Sequence, residues 1–202
     1  FHPQFTGNGK GDVTIRHLLT HSSGLPGYYQ FFLDDQISTK EDVLDYILNV
    51  KLNSEPGSHY EYTDLGFILL TSIIEKVANR SIDRLAHSYF FGPLGMHYTR
   101  YNPPLEWKRK VAPTEIDSIY RNRLIQGEVH DENTHLMGGV SGHAGIFSTA
   151  KEITRYAQML VDGGIWEGRR ILKKSQIQEF TKVQHIPQDS DFALGWDTPS
   201  QS

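Results

Sequence analysis

The sequence predicts a predominantly helical α+β chain with few strands. Three observations carry this. Successive stretches place apolar residues at helical spacing between capping and terminating residues. Strand-like patterning is limited to Arg170–Leu172 and Phe192–Trp196. Between Met96 and Gly145 the pattern is irregular, polar and aromatic, and a structureless loop of that length is usually functional.

Taken in order, Asp12 or Thr14 can cap a short helix through Ile15, Leu18 and Leu19. It stops at Ser22-Ser23-Gly24-Leu25-Pro26, where glycine ends a helix and proline prevents its resumption. Ser38-Thr39-Lys40-Glu41 reads as a capping box, the serine oxygen and the glutamate each taking a free amide. The helix behind it buries Val43, Leu44, Ile47 and Leu48. Glu55-Pro56-Gly57-Ser58 is a turn and His59–Tyr62 is extended. Asp64 can then cap the most apolar helix, Leu65 to Val77, which is apolar around most of its circumference and expected to be buried on nearly all sides. Ser81 opens a helix whose Ile82, Leu85, Ala86, Tyr89 and Phe90 share a face, closed by Gly92-Pro93-Leu94-Gly95. A helix from Thr149 aligns Ile153, Tyr156, Ala157, Leu160 and Val161, and Gly163-Gly164 ends it. Ser175–Thr181 is a last short helix.

Composition narrows the function. The 202 residues are 38% hydrophobic and 22% charged, enough for one domain with a sizeable core. Net charge is −4, and the longest basic run is Lys108-Arg109-Lys110, which argues against nucleic acid as the main partner. There is no cysteine, so thiolate chemistry and disulfides are excluded while the compartment stays open. The longest apolar stretch, Leu65–Ile74, is too short to span a bilayer. Both ends read as mid-element, so residues 1–202 are expected to form a single partial domain truncated at both ends.

The most chemically suggestive segment is Tyr60-Glu61-Tyr62-Thr63-Asp64-Leu65-Gly66. A tyrosine just before a buried helix feels the positive end of the helix dipole, which favours a phenolate and hence a general base. The same spacing is met by Tyr62 packing on the helix and Asp64 acting only as its N-cap. Two histidine groups, His17/His21 and His130/His135/His143 with Asp131, raise the alternative of a zinc-dependent hydrolase. The first pair lacks the glutamate of a His-Glu-x-x-His site, because Leu18 follows His17.

Tyr62-Thr63-Asp64 resembles the Tyr-x-Asn segment of the serine β-lactamase/penicillin-binding-protein family. Val13–Leu25 is similar to the helix and turn that this family places between its nucleophile and its tyrosine. Phe91-Gly92-Pro93-Leu94-Gly95-Met96 and Gly145-Ile146-Phe147-Ser148-Thr149-Ala150 resemble two further landmarks, in the family's order. The resemblance implies an α/β (α+β), β-lactamase/transpeptidase-like fold, here mostly its helical domain with few sheet strands. It implies a serine hydrolase that cleaves amide or ester bonds through an acyl-enzyme, with no cofactor and a small-molecule or peptidoglycan-like acyl substrate. Relatives are often exported.

By the same resemblance Tyr62 takes the proton-transfer role and Asp64 replaces the asparagine that hydrogen-bonds substrate. An ionised aspartate accepts but cannot donate, which puts β-lactam or peptide-amide recognition in doubt and leaves room for esters. The Ser-x-x-Lys nucleophile is expected before Phe1 and the Lys-Thr-Gly or His-x-Gly strand after Ser202. This leaves the 202 residues alone inert. Ser148-Thr149-Ala150-Lys151 has the nucleophile spacing but lies after the tyrosine, and Ser148 reads instead as a helix cap. Gly142-His143-Ala144-Gly145 mimics His-x-Gly too early in the chain. From the density of polar groups beside glycine turns, Asp131, Asn133 and His143 are expected to face the active-site cleft. A non-catalytic member that binds cell-wall fragments is the remaining alternative.

Overall fold

The computed structural model describes residues 2–199. Its helices are α1 (Ile15–Leu19), α2 (Lys40–Asn49), α3 (Asp64–Ala78), α4 (Ile82–Ala86), α5 (Glu132–Leu136), α6 (Ala150–Val161) and α7 (Lys174–Thr181). Six short strands, β1 (Arg100–Tyr101), β2 (Ile116–Asp117), β3 (Arg123–Leu124), β4 (Ile146–Phe147), β5 (Ile165–Trp166) and β6 (Arg169–Arg170), form three antiparallel pairs. The pairs are β1–β4, with Arg100 opposite Phe147, β2–β3, with Ile116 opposite Leu124, and β5–β6, with Ile165 opposite Arg170.

Thr14, not Asp12, caps α1. Its hydroxyl accepts the His17 amide while His17 Nδ1 accepts the Thr14 amide, so two orphan donors are satisfied reciprocally. The box before α2 lies one residue later than expected. Thr39 is the cap, and the Asp42 carboxylate rather than Glu41 closes it, collecting the amides of Ser38 and Thr39 at 3.0 and 2.9 Å. Likewise Thr63, not Asp64, caps α3, its hydroxyl accepting the Gly66 amide at 3.3 Å. Asp64 is thereby released from capping, and its carboxylate is available for other work.

Leu18, Leu25, Phe31, Val43, Ile47, Leu65 and Leu69 form the centre of the main core, where α1 and α2 pack on α3. Burial of each such side chain contributes about 1.5–3 kcal/mol. The expected all-round burial of α3 holds only for its first turns, Leu65 to Thr71. Further along, Lys40 pairs with Glu75 at 2.6 Å and covers one flank, while Ile74 and Val77 are exposed on the other. Lys10 is buried beside this core; its ammonium donates to the Leu48 and Ile47 carbonyls, satisfying the last turn of α2.

A second cluster, Phe91, Leu94, Met96 and Met159, joins the α4 region to α6. After Ala86 the helix widens into a π-turn, His87–Phe91. That extra residue per turn rotates Phe91 inward and Tyr89 outward, so Tyr89 leaves the face the sequence assigned it. Thr149 caps α6, which displaces Ser148 from the expected role. The inward face of α6 carries Glu152 and Met159, with Ile153 and Val161 exposed. Glu152 sets this rotation: its buried carboxylate accepts the Tyr98 amide at 3.0 Å and the Thr99 hydroxyl at 2.7 Å.

The expected strand at Arg170–Leu172 narrows to Arg169–Arg170, paired across a turn in which Glu167 and Gly168 both have positive φ. The expected strand at Phe192–Trp196 is not formed. Gly195 takes φ 74°, and the Ala193 amide donates back to Trp196 O at 2.9 Å, closing a tight turn. In the middle segment, the buried Asp117 carboxylate accepts the Ile119, Tyr120 and Arg121 amides and pairs with the Arg121 guanidinium at 2.7 Å. Arg121 in turn donates to the carbonyls of Val129 and His130, which fixes the approach to Asp131.

Candidate active site

The segment Glu61–Asp64 is held on both sides of Tyr62 by the turn that follows α1. The Glu61 amide donates to His21 O at 2.9 Å, the Thr63 amide to His21 Nδ1 at 3.0 Å, and the Asp64 amide to Gly27 O at 2.9 Å. The Glu61 carboxylate accepts the Gly27 amide at 2.8 Å, and the Thr63 hydroxyl donates to Pro26 O at 2.7 Å. The approach is so close that a Cβ at Gly27 would lie 2.8 Å from Tyr62 O. Glycine at residue 27 is a steric requirement of this zipper.

Tyr62 projects from the middle of that pinned segment. Its side chain is open, 61% exposed, and its hydroxyl takes no hydrogen bond among the described residues. The ring rests on the His21 imidazole, centroid to centroid 4.3 Å at 29°, rather than directly on α3. A phenol so presented, on a pinned backbone, is free to bond a further partner.

Asp64, in the first turn of α3, faces a second group. One carboxylate oxygen of Asp64, one of Asp131 and a ring nitrogen of His143 lie within 4.8 Å of one another. Asp131 caps α5, accepting the Thr134 amide at 2.6 Å, and also accepts from His143 Nε2 at 3.1 Å. An ionised carboxylate can only accept, so Nε2–H donates to Asp131; Nε2 also lies 3.0 Å from the Thr134 hydroxyl, and Nδ1 and the Ser141 hydroxyl bond at 2.8 Å. Gly142 brings this loop against α3: a Cβ there would overlap Thr71 Oγ1.

The two carboxylates are pushed apart in acidity. Burial, reinforced by Asp131 and partly offset by His143, raises Asp64 above the ordinary carboxylate range. Burial also opposes ionisation of Asp131, but the bonds from His143 and Thr134 overcome it and hold Asp131 at about 2. Tyr28 stands beside this group. Burial, then Glu132, Asp131 and Asp64, push its phenol up to about 12, so it stays protonated and can donate.

Of the residues expected at the cleft, Asp131 and His143 come together with Asp64. Asn133 does not join them. It is 0% exposed, and its amide donates to Tyr29 O at 2.8 Å, tying α5 to the loop after α1. One helical turn cannot aim both Asp131 and Asn133 to the same side, since they lie two residues apart. The Ser148 hydroxyl bonds Thr99 at 2.7 Å rather than Lys151. His17 and His21 each spend Nδ1 on a backbone amide, so this pair is not a metal site as it stands. Asp64, Asp131 and His143 are the described residues that could hold a cation.

Sequence reasoning missed Tyr28 and Ser141, and weighed His21 only as a metal ligand. A Ser-x-His spacing hints at Ser141. Ser141, His143 and Asp131 form a hydrogen-bonded line in the order of a catalytic triad, but Ser141 is buried and cannot reach an acyl carbon.

A family model described as Beta-lactamase matches residues 1–199. An Escherichia coli (strain K12) protein named "Putative D-alanyl-D-alanine carboxypeptidase" is 32% identical over 216 residues, 96% of this chain and 48% of that protein. "The crystal structure of penicillin binding protein from Bacillus halodurans" is similar at TM-score 0.64 and 22% identity, over 92% of this chain and 57% of that one. "EstCE1, a hydrolase with promiscuous acyltransferase activity" is similar at TM-score 0.68 and 20% identity, over 96% and 59%. The chain spans about half the length of the curated relatives it matches. The structural likenesses establish the fold, of which this chain is a mostly helical portion with few short strands.

Proposed function

Because the chain belongs to the beta-lactamase family, we propose that it supplies the proton-handling tyrosine and one cleft wall of a serine hydrolase acting on amide or ester bonds. In this reading the nucleophilic serine and its lysine come from sequence outside residues 1–202 of the same gene product. The serine oxygen attacks the acyl carbon while its proton passes towards Tyr62 and the lysine. That proton is then delivered to the departing amine or alcohol, leaving an acyl-enzyme. Water hydrolyses the acyl-enzyme and returns the proton to the serine. Asp64 and Asp131 line the wall with acceptors, and Tyr28 adds a donor. A peptidoglycan-like acyl substrate accords with the carboxypeptidase name of the E. coli relative.

One observation carries the reading: Tyr62 is exposed and its phenol unbonded although the backbone on both sides of it is pinned. The test is covalent labelling of the complete gene product with a fluorophosphonate or a fluorescent penicillin. Labelling is expected, and Tyr62→Phe should slow it about 10²-fold, the size of a lost general base. An intact, folded protein that takes up neither probe would remove the enzymatic reading and favour a binder of cell-wall fragments. A label located on Ser148 would move the nucleophile there.

A zinc-dependent hydrolase is the second reading, supported by the proximity of the Asp64, Asp131 and His143 donor atoms. Ser141 could then accept from Nδ1 and leave Nε2 free for metal. Stoichiometric zinc in the purified protein, lost in His143→Ala, would favour it over the serine mechanism.

A further inference from the structure

His21 occupies an unusual position. Its backbone is left-handed at φ 53°, a region that non-glycine residues enter at a cost and in which Asn, Asp and His are enriched. The side chain is nevertheless enclosed, the residue only 3% exposed. Its amide donates back to Leu18 O at 3.4 Å, while its carbonyl, its Nδ1 and its ring are engaged with the tyrosine segment and its surroundings. The carbonyl accepts the Glu61 amide and Nδ1 accepts the Thr63 amide, on either side of Tyr62. The ring stacks on Tyr62 at 4.3 Å and 29°, and on Phe67 of α3 at 4.9 Å and 26°. Tyr60 and Phe192 meet it edge-on at 6.1 and 5.1 Å.

We propose that His21 is the positioning residue for Tyr62, fixing the phenol through a backbone clamp on both neighbours and a ring platform beneath it. The proposal rests on the reading of Tyr62 as the proton-transfer residue. Three properties are needed at once: tolerance of left-handed backbone, an acceptor for the Thr63 amide, and a flat ring. Asparagine offers the first two and no ring. Phenylalanine offers the ring, no acceptor, and strain at positive φ. Histidine combines all three. Because Nδ1 accepts, the proton sits on Nε2 and the imidazole is neutral. The rings facing it are the phenols of Tyr60 and Tyr62 and the phenyl rings of Phe67 and Phe192, and among the described residues no charged side chain stacks on the platform.

The test uses the complete gene product with its labelling or hydrolytic assay, and the variants His21→Asn, His21→Phe, Tyr62→Phe and His21→Asn/Tyr62→Phe. His21→Asn keeps the clamp and should fold; losing the platform should lower kcat about ten-fold or more with KM within two-fold, and shift the pH-rate limb that depends on Tyr62. His21→Phe keeps the platform and should lose kcat through the unclamped Thr63 amide; should it not fold, His21→Asn decides alone. The double variant should be no slower than Tyr62→Phe, because a residue that acts through the phenol has nothing left to position. Wild-type kcat in His21→Asn, or losses that multiply in the double variant, would overturn the proposal. Full activity of Tyr62→Phe would overturn it together with the function it rests on, whereas a slow Tyr62→Phe beside an unaffected His21→Asn overturns the positioning role alone.

Discussion

Acidification should destabilise this protein measurably through the imidazole of His21. Burial holds the His21 ring at about 4, against an ordinary histidine value of 6.5. Between those two values the unfolded chain binds a proton that the folded chain refuses. Stability conferred by the neutral ring is therefore complete above 6.5 and is lost as pH falls towards 4. Each pH unit inside the window costs about 1.4 kcal/mol, or about 3 kcal/mol across it, a large share of a typical domain's stability. The assay is urea unfolding at a series of pH values from 7.5 to 4, on the native protein and on His21→Asn. His2, His17 and His135 are also lowered by burial and Asp64 is raised, but these groups are common to both proteins and cancel in the difference. Asp131, held at about 2, contributes stability that is lost only as pH falls from its ordinary 3.8 towards 2, below the window. The native protein should therefore lose about 3 kcal/mol more than the variant between pH 7 and 4. Parallel stability curves for the two would refute the reasoning.

Two further outcomes follow from the geometry that delivers Asp131 and His143. Asp117→Asn removes the charge from a buried pair and leaves Arg121 without its carboxylate, so it should cost about 3 kcal/mol; limited proteolysis should then cut between β3 and α5, and unchanged resistance there would count against the clamp. Gly142→Ala places a methyl group onto Thr71 Oγ1 and should cost about 1–3 kcal/mol by differential unfolding, while Gly142→Ala combined with Thr71→Ala should recover part of the loss.

The helices were legible because their signals are local. Thr14, the Ser38-Thr39 pair and Thr149 lie just ahead of apolar runs, and the helices begin within a residue or two of where those signals fall. The errors are equally local in origin. Adjacent Ser38 and Thr39 offer the same oxygen, and only the reach of Asp42 decides between them. Phe192–Trp196 is apolar as a buried strand would be, but the pattern does not show that Gly195 reverses the chain. The composition of α3 could not reveal that one flank of its last turns is left uncovered, because that depends on the placement of α2. The resemblance of four landmarks was enough for the family and the fold, which the family-model match over residues 1–199 bears out. The site was only partly legible. Asp131 and His143 stood out as polar residues in a glycine-rich loop, yet their convergence on Asp64 joins positions more than 60 residues apart in sequence. Asn133 has the same local signature and turns inward, because α5 must also be tied to Tyr29.

The enclosed Ser141–His143–Asp131 line bears on how such folds are recognised by template. A search keyed to interatomic separations alone would nominate residue 141 as a nucleophile, and would do so with good donor–acceptor order. What disqualifies it is solvent access: no electrophile can approach an oxygen walled in by the loop that carries it. The line instead makes the orientation of one imidazole depend on a hydroxyl and a helix-capping carboxylate at once. Loss of either partner should therefore be felt at Asp64, on a different helix, as an altered electrostatic surround rather than as missing chemistry.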